Sequence, residues 1–459
     1  MIKQKTPQQF KEEKMDPVKA NVVPLIFKET NERERKEYEE QLNALIEIYG
    51  DTADFAAPVW VGESIPECDA VVFPQLIGAA YHYIDVLKKY DKPAVVITSQ
   101  FGTVDMWDWE LITYMRSHDL NVFSPYNIDL GKVIFRAIGT KEHLKGAKFL
   151  MFQDDPGEGM QAYIFKRFYW WEKECSEQIE KAFGAKLYYR SWKEVNRKAQ
   201  EYDPSEALAL FESWNVPCEG LTDEQKIPVG QLYLAIKAEI DELGGVDGIG
   251  ANCLNESMYS QTTPCLIWNM LFEEYGIIWC CEGDTLSLVS TYVLYQSLRQ
   301  PIMMTNIYPF LVGKAAIHHE KIDDFPPVDE PENYALGVHC GYAGFTPRCF
   351  CRRWRVVPKV LAIVNENAHV VDAELPDGDM VLAKINPTFD KITVIPGKIE
   401  KYVQFPGTDS RNASLLHYSN GEQVMEGLPS HHQMIITGKQ KAPISQVAKV
   451  FGWKLEVIE

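Results

Sequence analysis

The sequence predicts two α/β domains with open, Rossmann-like sheets, followed by a β-barrel-like C-terminal domain. Three observations predict this. Short apolar runs without charge alternate with helix-patterned segments up to about residue 310. Polar groups cluster at the ends of those runs. Beyond residue 310 the helical pattern gives way to short strand-like pieces separated by turns. A chain of 459 residues has the length of several domains. The expected division is 1–165, 166–310 and 311–459.

The first domain opens with VVPLIFK at 22–28, a strand, and continues with a helix over 31–49. That helix carries Leu42, Leu45, Ile46 and Ile48 on a charged background. PVWV at 58–61 leads to Val71 and Val72, and 75–89 reads as a helix ending before Lys92-Pro93. PAVVIT at 93–98 has no charge, as a buried parallel strand should. Residues 99–102 turn away from its end, and Thr103 or Asp105 caps the next helix. AKFLMFQ at 147–153 is a further buried-type strand, assigned to this first layer.

The second domain begins with a charged, aromatic helix at about 165–182, then a strand at 185–191. Helices follow at 205–215 and 222–241, then the strand GIGANCL at 248–254. A helix at 261–275, the strand GIIWCC at 276–281, a helix at 286–299 and the strand IMMTNIY at 302–308 complete it. KIDDFPPVDEPEN at 321–333 is rich in proline and acid and reads as a boundary loop. WRVVPKVLAIV, HVVDAEL, DMVLAKIN and KITVIPGKI then read as strands, and the tail as a helix followed by a strand.

Charge excludes one class of partner. With 46 basic against 65 acidic residues the net charge is -19, so the chain lacks the broad basic footprint of a nucleic-acid binder. An anionic small molecule remains compatible, because a local site can oppose the global field. The first twenty residues carry no apolar region of a secretory signal. The apolar stretch Thr285 to Leu298 is too short to span a bilayer, so no membrane partner is expected. Seven of the ten cysteines follow residue 250 without regular spacing. Cys280-Cys281 and Cys349-x-Cys351 lack the second pair of a zinc motif. Free thiols in a reducing cytoplasm are the expectation.

The chain contains no G-x-G-x-x-G, no phosphate-binding GxxxxGK[ST] and no G-x-S-x-G. Its strongest local signal is Glu282, which ends the apolar run GIIWCC and precedes Asp284 and a helix. Carboxylates at the carboxyl end of a buried strand lie where open α/β sheets build sites. Glu282 is therefore a candidate metal ligand, proton carrier, or both; the alternative is a carboxylate stabilised by a helix N-terminus. Asp284 reads as a cap or as a group behind the site. Histidines supply the next constellation: the pairs His318-His319 and His431-His432, and His339. Neighbours in an extended segment point to opposite faces, so one of each pair can face a site. Two imidazoles with carboxylates suit Mn, Co, Fe or Zn, and a more carboxylate-rich set suits Mg or Mn. Asn252, Asn255 and Glu256 follow a strand and suit sugar hydroxyls or turn capping. Arg411 and Asn412 in GTDSRNAS suit substrate oxygens or a local turn. Trp107 and Trp109 flank Asp108 and suit helix packing better than a sugar platform.

Taken in order, Cys281-Glu282-Gly283-Asp284, the segment Leu336-Gly337-Val338-His339-Cys340-Gly341 and Ser430-His431-His432-Gln433-Met434 resemble motifs of the L-fucose isomerase and L-arabinose isomerase superfamily. The resemblance covers most of the chain in domain order and is strongest after about residue 250. It implies two α/β domains and a β-rich third, and a homo-oligomer, trimer or hexamer, whose sites a neighbouring subunit completes. It also implies a metal-dependent aldose–ketose isomerase acting on a pentose, 6-deoxyhexose or related sugar. Mn2+, or another divalent ion such as Co2+ or Mg2+, is the implied cofactor. Glu282 would be a metal-binding catalytic carboxylate and His432 the later metal ligand. His339 would be a ligand or a substrate-side histidine. Asn252, Asn255, His431, Arg411 and Asn412 are the candidate substrate contacts.

One departure bears on the chemistry. The family carries a second acidic ligand on the strand after Glu282, where this chain has Thr305 and Asn306. Asn306 keeps a neutral oxygen ligand, but neither residue is a general base. Glu320, Asp323 or Asp324 is a candidate replacement; an ordinary acidic loop is the alternative. An enediol-type proton transfer by Glu282 is the expected reaction. A divergent sugar epimerase or lyase, or a non-catalytic sugar-binding protein of the same fold, are the rival readings.

Overall fold

The computed structural model describes residues 18–27, 31–75, 77–154, 173–252, 260–311, 324–338, 345–358, 367–405 and 412–459. Its first unit is a parallel sheet of β1 (Ala20–Ile26), β2 (Ala53–Phe55), β3 (Val59–Trp60), β4 (Ala70–Phe73), β5 (Ala94–Val96) and β6 (Val122–Phe123). The order is β2-β1-β4-β5-β6, with β3 also paired to β1. β1, β4 and β5 carry no charge, as strands covered on both faces require. Helices α1 (Glu32–Tyr49), α2 (Ile84–Tyr90) and α3 (Trp109–Ser117) connect them, and α4 (Ile128–Leu144) leads from β6 to the next sheet. Leu42 and Leu45 of α1 are buried, as the apolar stripe predicts. Asp105 is the capping residue: its carboxylate accepts from the Trp107 N–H at 3.1 Å, in the 3-10 turn that leads into α3.

A second parallel sheet has the order β10-β9-β7-β8. It comprises β7 (Lys148–Phe152), β8 (Lys186–Arg190), β9 (Gly248–Ala251) and β10 (Ile278–Cys280). Its helices are α5 (Lys173–Phe183), α6 (Trp192–Ala199), α7 (Pro204–Ser213), α8 (Asp223–Glu242) and α9 (Cys265–Tyr275). Here the structure departs from the sequence reading. The segment 147–153 belongs to this sheet and not to the first, with Phe149 opposite Leu187 on one side and Gly248 on the other. Apolar character marks a buried strand but does not choose its neighbour. Gly250 lies where a Cβ would come within 2.6 Å of the Cys280 sulfur and 2.9 Å of the Met151 methyl, so side chains of the two flanking strands close over its backbone.

Helix α10 (Thr285–Leu298) follows β10 and is buried at every position but Tyr295. Such a helix is buried all round because it has layers on both sides. It packs on β9 and β10 of the second sheet and on three strands of the next unit. That unit contains β11 (Ile302–Pro309), β12 (Tyr334–Val338), β13 (Arg353–Pro358), β14 (His369–Glu374), β15 (Gly378–Ile385), β16 (Lys391–Gln404), β17 (Asn412–His417), β18 (His432–Thr437) and β19 (Lys454–Val457). It also holds α11 (Gly421–Gly427) and α12 (Lys441–Phe451). The order β15-β18-β11-β12-β17-β16, with β15 paired to β16, closes a six-stranded antiparallel barrel. β19 extends it parallel to β16, and β13 and β14 form a separate antiparallel pair. The strand expected to complete the central α/β domain, 302–308, is thus a barrel strand: β11 runs antiparallel to β12 and β18. A charge-free run reads alike in either setting. α10 touches β11, β15 and β18, and so joins the second sheet to the barrel wall. Among the described residues no helix is long and apolar enough to cross a membrane. Among the described residues no two cysteines form a disulfide.

Candidate functional site

After β10 the chain turns through Glu282 and Gly283, both with positive φ (56° and 69°). Holding a glutamate there costs of order 1 kcal/mol, a cost tolerated only where the surroundings fix it. Glu282 is 4% exposed, and its Oε2 lies 3.4 Å from Nε2 of His432. Asp284 then caps α10, with Oδ1 accepting from the Ser287 N–H at 2.8 Å. Its other oxygen accepts from the Ser287 hydroxyl at 2.6 Å, His432 Nδ1 at 2.8 Å and the Lys384 ammonium at 3.0 Å.

The barrel supplies the opposing wall. His432 is the first residue of β18 and pairs with Asn306 of β11. Residues directly opposite across antiparallel strands share a face, so Asn306 lies on the His432 side. Thr305 pairs with Gln433 and lies on the other face. Of the two residues at the expected second-ligand position, Asn306 is therefore the one beside the site. It is buried, and its Oδ1 accepts no hydrogen bond from the described residues, while Nδ2 stands 3.4 Å from the Tyr308 hydroxyl. Lys384 of β15 also donates to the Ser287 hydroxyl at 2.8 Å and approaches Ser430 Oγ at 3.4 Å. Ser430 Oγ in turn accepts from the His432 N–H at 3.1 Å. The expectation that adjacent histidines diverge fails at 431–432. Their ring centroids are 4.2 Å apart, because β18 begins only at His432 and His431 sits in the bend before it.

Two acids and two bases thus share a closed space. Burial pushes the Asp284 carboxyl up, but the Lys384 ammonium and the hydrogen bonds from His432 and Ser287 outweigh it and hold the group well below the usual carboxylate range. Burial lowers the Lys384 ammonium against the pull of Asp284. Burial also opposes charge on His432, yet Glu282 and Asp284 together raise it to about 9. His431 is pushed down to about 3, by burial first and then by the charge on His432, and so stays neutral near pH 7.

Other candidates fall in different places. Asn252 follows β9, fully buried, and neither polar atom of its side-chain amide has a hydrogen-bond partner among the described residues. Strand register sets Asn252 level with Gln153 after β7 and with Glu282 after β10. The Gln153 Oε1 is likewise buried without a donor among the described residues. Asn255, Glu256, His339 and Arg411 lie outside the described residues, as do His318, His319, Glu320 and Asp323. Asn412 begins β17. Asp324 is exposed and accepts from the Phe325 N–H. Trp107 and Trp109 are 74% and 58% exposed, so neither is spent on helix packing. Lys384, Ser287, Ser430 and Gln153 were not foreseen. A charged residue inside the apolar run MVLAKI was the available signal for Lys384.

The donor set of Glu282, His432 and the Asn306 amide oxygen fits a divalent ion of intermediate hardness, with further positions left for water or substrate. Asp284 on His432 Nδ1 is the carboxylate that ordinarily stands behind a ligating imidazole. Among the described residues no cluster of three or more His, Cys, Asp or Glu stands ready to hold a metal, so the amide oxygen is needed as the third donor. Compared with known proteins, the chain matches no family model, and no curated protein matches it in sequence.

Proposed function

We propose that this protein is a metal-dependent aldose–ketose isomerase acting on a pentose, 6-deoxyhexose or related sugar, and that Glu282 moves the proton. The observation that carries this reading is the buried line Glu282–His432–Asp284, in which one imidazole joins a strained strand-end carboxylate to a helix-cap carboxylate. The resemblance of the segments around Glu282 and His431-His432 to the L-fucose and L-arabinose isomerase superfamily supports the same reading.

Glu282, His432 and Asn306 would hold Mn2+ or a similar divalent ion. When bound, such an ion stabilises negative charge on the sugar carbonyl oxygen and the neighbouring hydroxyl. Asp284 keeps His432 oriented, with Nε2 directed at Glu282. Glu282 takes a proton from one of C1 and C2 and returns it to the other, its carboxylate shielded from bulk water, while the hydroxyl proton passes between O2 and O1 through a water molecule. The Asn252 amide and the Gln153 Oε1, which have no hydrogen-bond partner among the described residues, stand level with Glu282 and suit the hydroxyls of a polyol, which both donate and accept. Neutral His431 offers a further hydrogen bond on the barrel side. The test is incubation of the Mn-loaded protein with an aldose panel in heavy water. Ketose formation with deuterium at the transferred position is expected. Neither product nor label across pentoses, 6-deoxyhexoses and hexoses contradicts the reading.

The neutral Asn306 favours one rival. Without a carboxylate at the Asn306 position of β11 to share the proton with Glu282, the same stabilised anion can reprotonate on the other face or expel a leaving group, giving an epimerase or a lyase. That reading predicts solvent label at one carbon without ketose.

A further inference from the structure

On the edge of the sheets opposite Glu282, the carboxyl ends of α4, α5 and α12 meet the turn between β15 and β16. A cavity of about 360 Å³ opens there, with Lys141, Lys145, Lys181, Phe389, Phe451 and Trp453 on its walls and no carboxylate among the described lining residues. Phe451 and Trp453 stack at 4.4 Å, and Phe389 meets Phe183 edge-on at 5.2 Å. Phe389 and Phe451 are only half-buried, so ring surface remains toward the cavity.

The three lysines are not equivalent. Lys141 donates to the Val450 carbonyl at 2.9 Å, an ordinary use of a lysine at a helix carboxyl end. Lys145 pairs with Glu142 at 2.5 Å but is mostly exposed. Lys181 is exposed and makes no ion pair with another described residue. Gly184, with φ of 75°, brings the chain after α5 so close that a Cβ there would lie 2.8 Å from the Lys145 backbone, which holds Lys145 and Lys181 on one rim. In a chain of net charge -19, a lysine rim over an aromatic floor is a local reversal of the field.

We propose that this cavity binds a phosphorylated ligand with a flat ring system, of the nucleoside diphosphate kind. Lys145 and Lys181 take the phosphates, and the ring lies against Phe451 and Phe389, since stacking tolerates any planar base. The volume suits a small cofactor-sized ligand. No step of the proposed isomerisation uses the site.

The test is calorimetric titration of the full chain with ADP, pyrophosphate and adenosine separately. ADP should bind saturably, and each fragment should bind about tenfold more weakly or worse. Lys145→Gln and Lys181→Gln should each weaken ADP about tenfold. Phe451→Leu should weaken ADP and adenosine and leave pyrophosphate unchanged. Both lysines are exposed, so their loss leaves the fold intact. Absence of saturable ADP binding at about 1 mM overturns the proposal. So does ADP affinity unmoved in the Lys145→Gln/Lys181→Gln double variant, or pyrophosphate binding as tightly as ADP.

Discussion

Replacing Lys384 by methionine removes the positive charge that keeps Asp284 ionised inside the protein. Both groups are at most 1% exposed and stand 3.0 Å apart. At an effective dielectric of about 20 their attraction is roughly 5 kcal/mol, much of it offset by the cost of taking two charges out of water. Removing one partner is the costly case, because Asp284 keeps its charge while losing its main counterion. The expected destabilisation is about 3–5 kcal/mol, on the order of a thousandfold in the folded-to-unfolded ratio. The sign with pH follows from the depressed carboxyl. Asp284 contributes stability that is present above the ordinary carboxylate value and is lost as pH falls through the depressed one. Without Lys384 that loss begins at higher pH. A chain of several units need not unfold in one step, so the assay is urea dependence of hydrogen exchange at the amides of α10, β15 and β18. The double variant Lys384→Met/Asp284→Asn should cost less than the sum of the two single changes by about 3 kcal/mol. A Lys384→Met protein within about 1 kcal/mol of the parent, or strict additivity in the double variant, refutes the reasoning.

Three further outcomes follow from the same geometry. His432 is raised to about 9, so a metal must displace its proton; apparent Mn2+ affinity should climb about tenfold per pH unit from near pH 6 and level off near that value. Calorimetry across pH reads this, and a flat profile contradicts it. Asn306→Asp restores a carboxylate opposite His432 and should tighten Mn2+ about tenfold, measured by competition with a chelator. Gly250→Ala forces a Cβ to within 2.6 Å of the Cys280 sulfur and should destabilise the second sheet by about 1–3 kcal/mol, read as a lower urea midpoint.

Glu282 was legible because it follows an apolar run at a strand's carboxyl edge, where open α/β sheets build sites. Asp284 as a cap was legible because it immediately precedes a helix-patterned segment. The place of Lys384 was not, and His432 and Asn306 were joined to Glu282 only through the family resemblance, not by anything local in the sequence. Their meeting depends on the register of β11 against β18 and of β15 against β18, contacts between strands far apart in sequence. The same limit explains β7 and β11. Their burial could be read from composition, but the sheet each joins is set by tertiary pairing. β12 and β18 went unread because YALGV and HQMIIT are short and carry glycine or histidine rather than a clean alternation.

The central claim is that Glu282 and His432 jointly hold a divalent ion at which a sugar is isomerised. Anomalous scattering at the manganese edge, from crystals of the full chain grown with Mn2+ and an aldose, tests it most directly. The account predicts one strong peak within about 2.5 Å of both the Glu282 carboxylate and His432 Nε2, with sugar oxygens completing the coordination. Sugar bound beside an intact Glu282–His432 contact, with no anomalous peak between them, contradicts it.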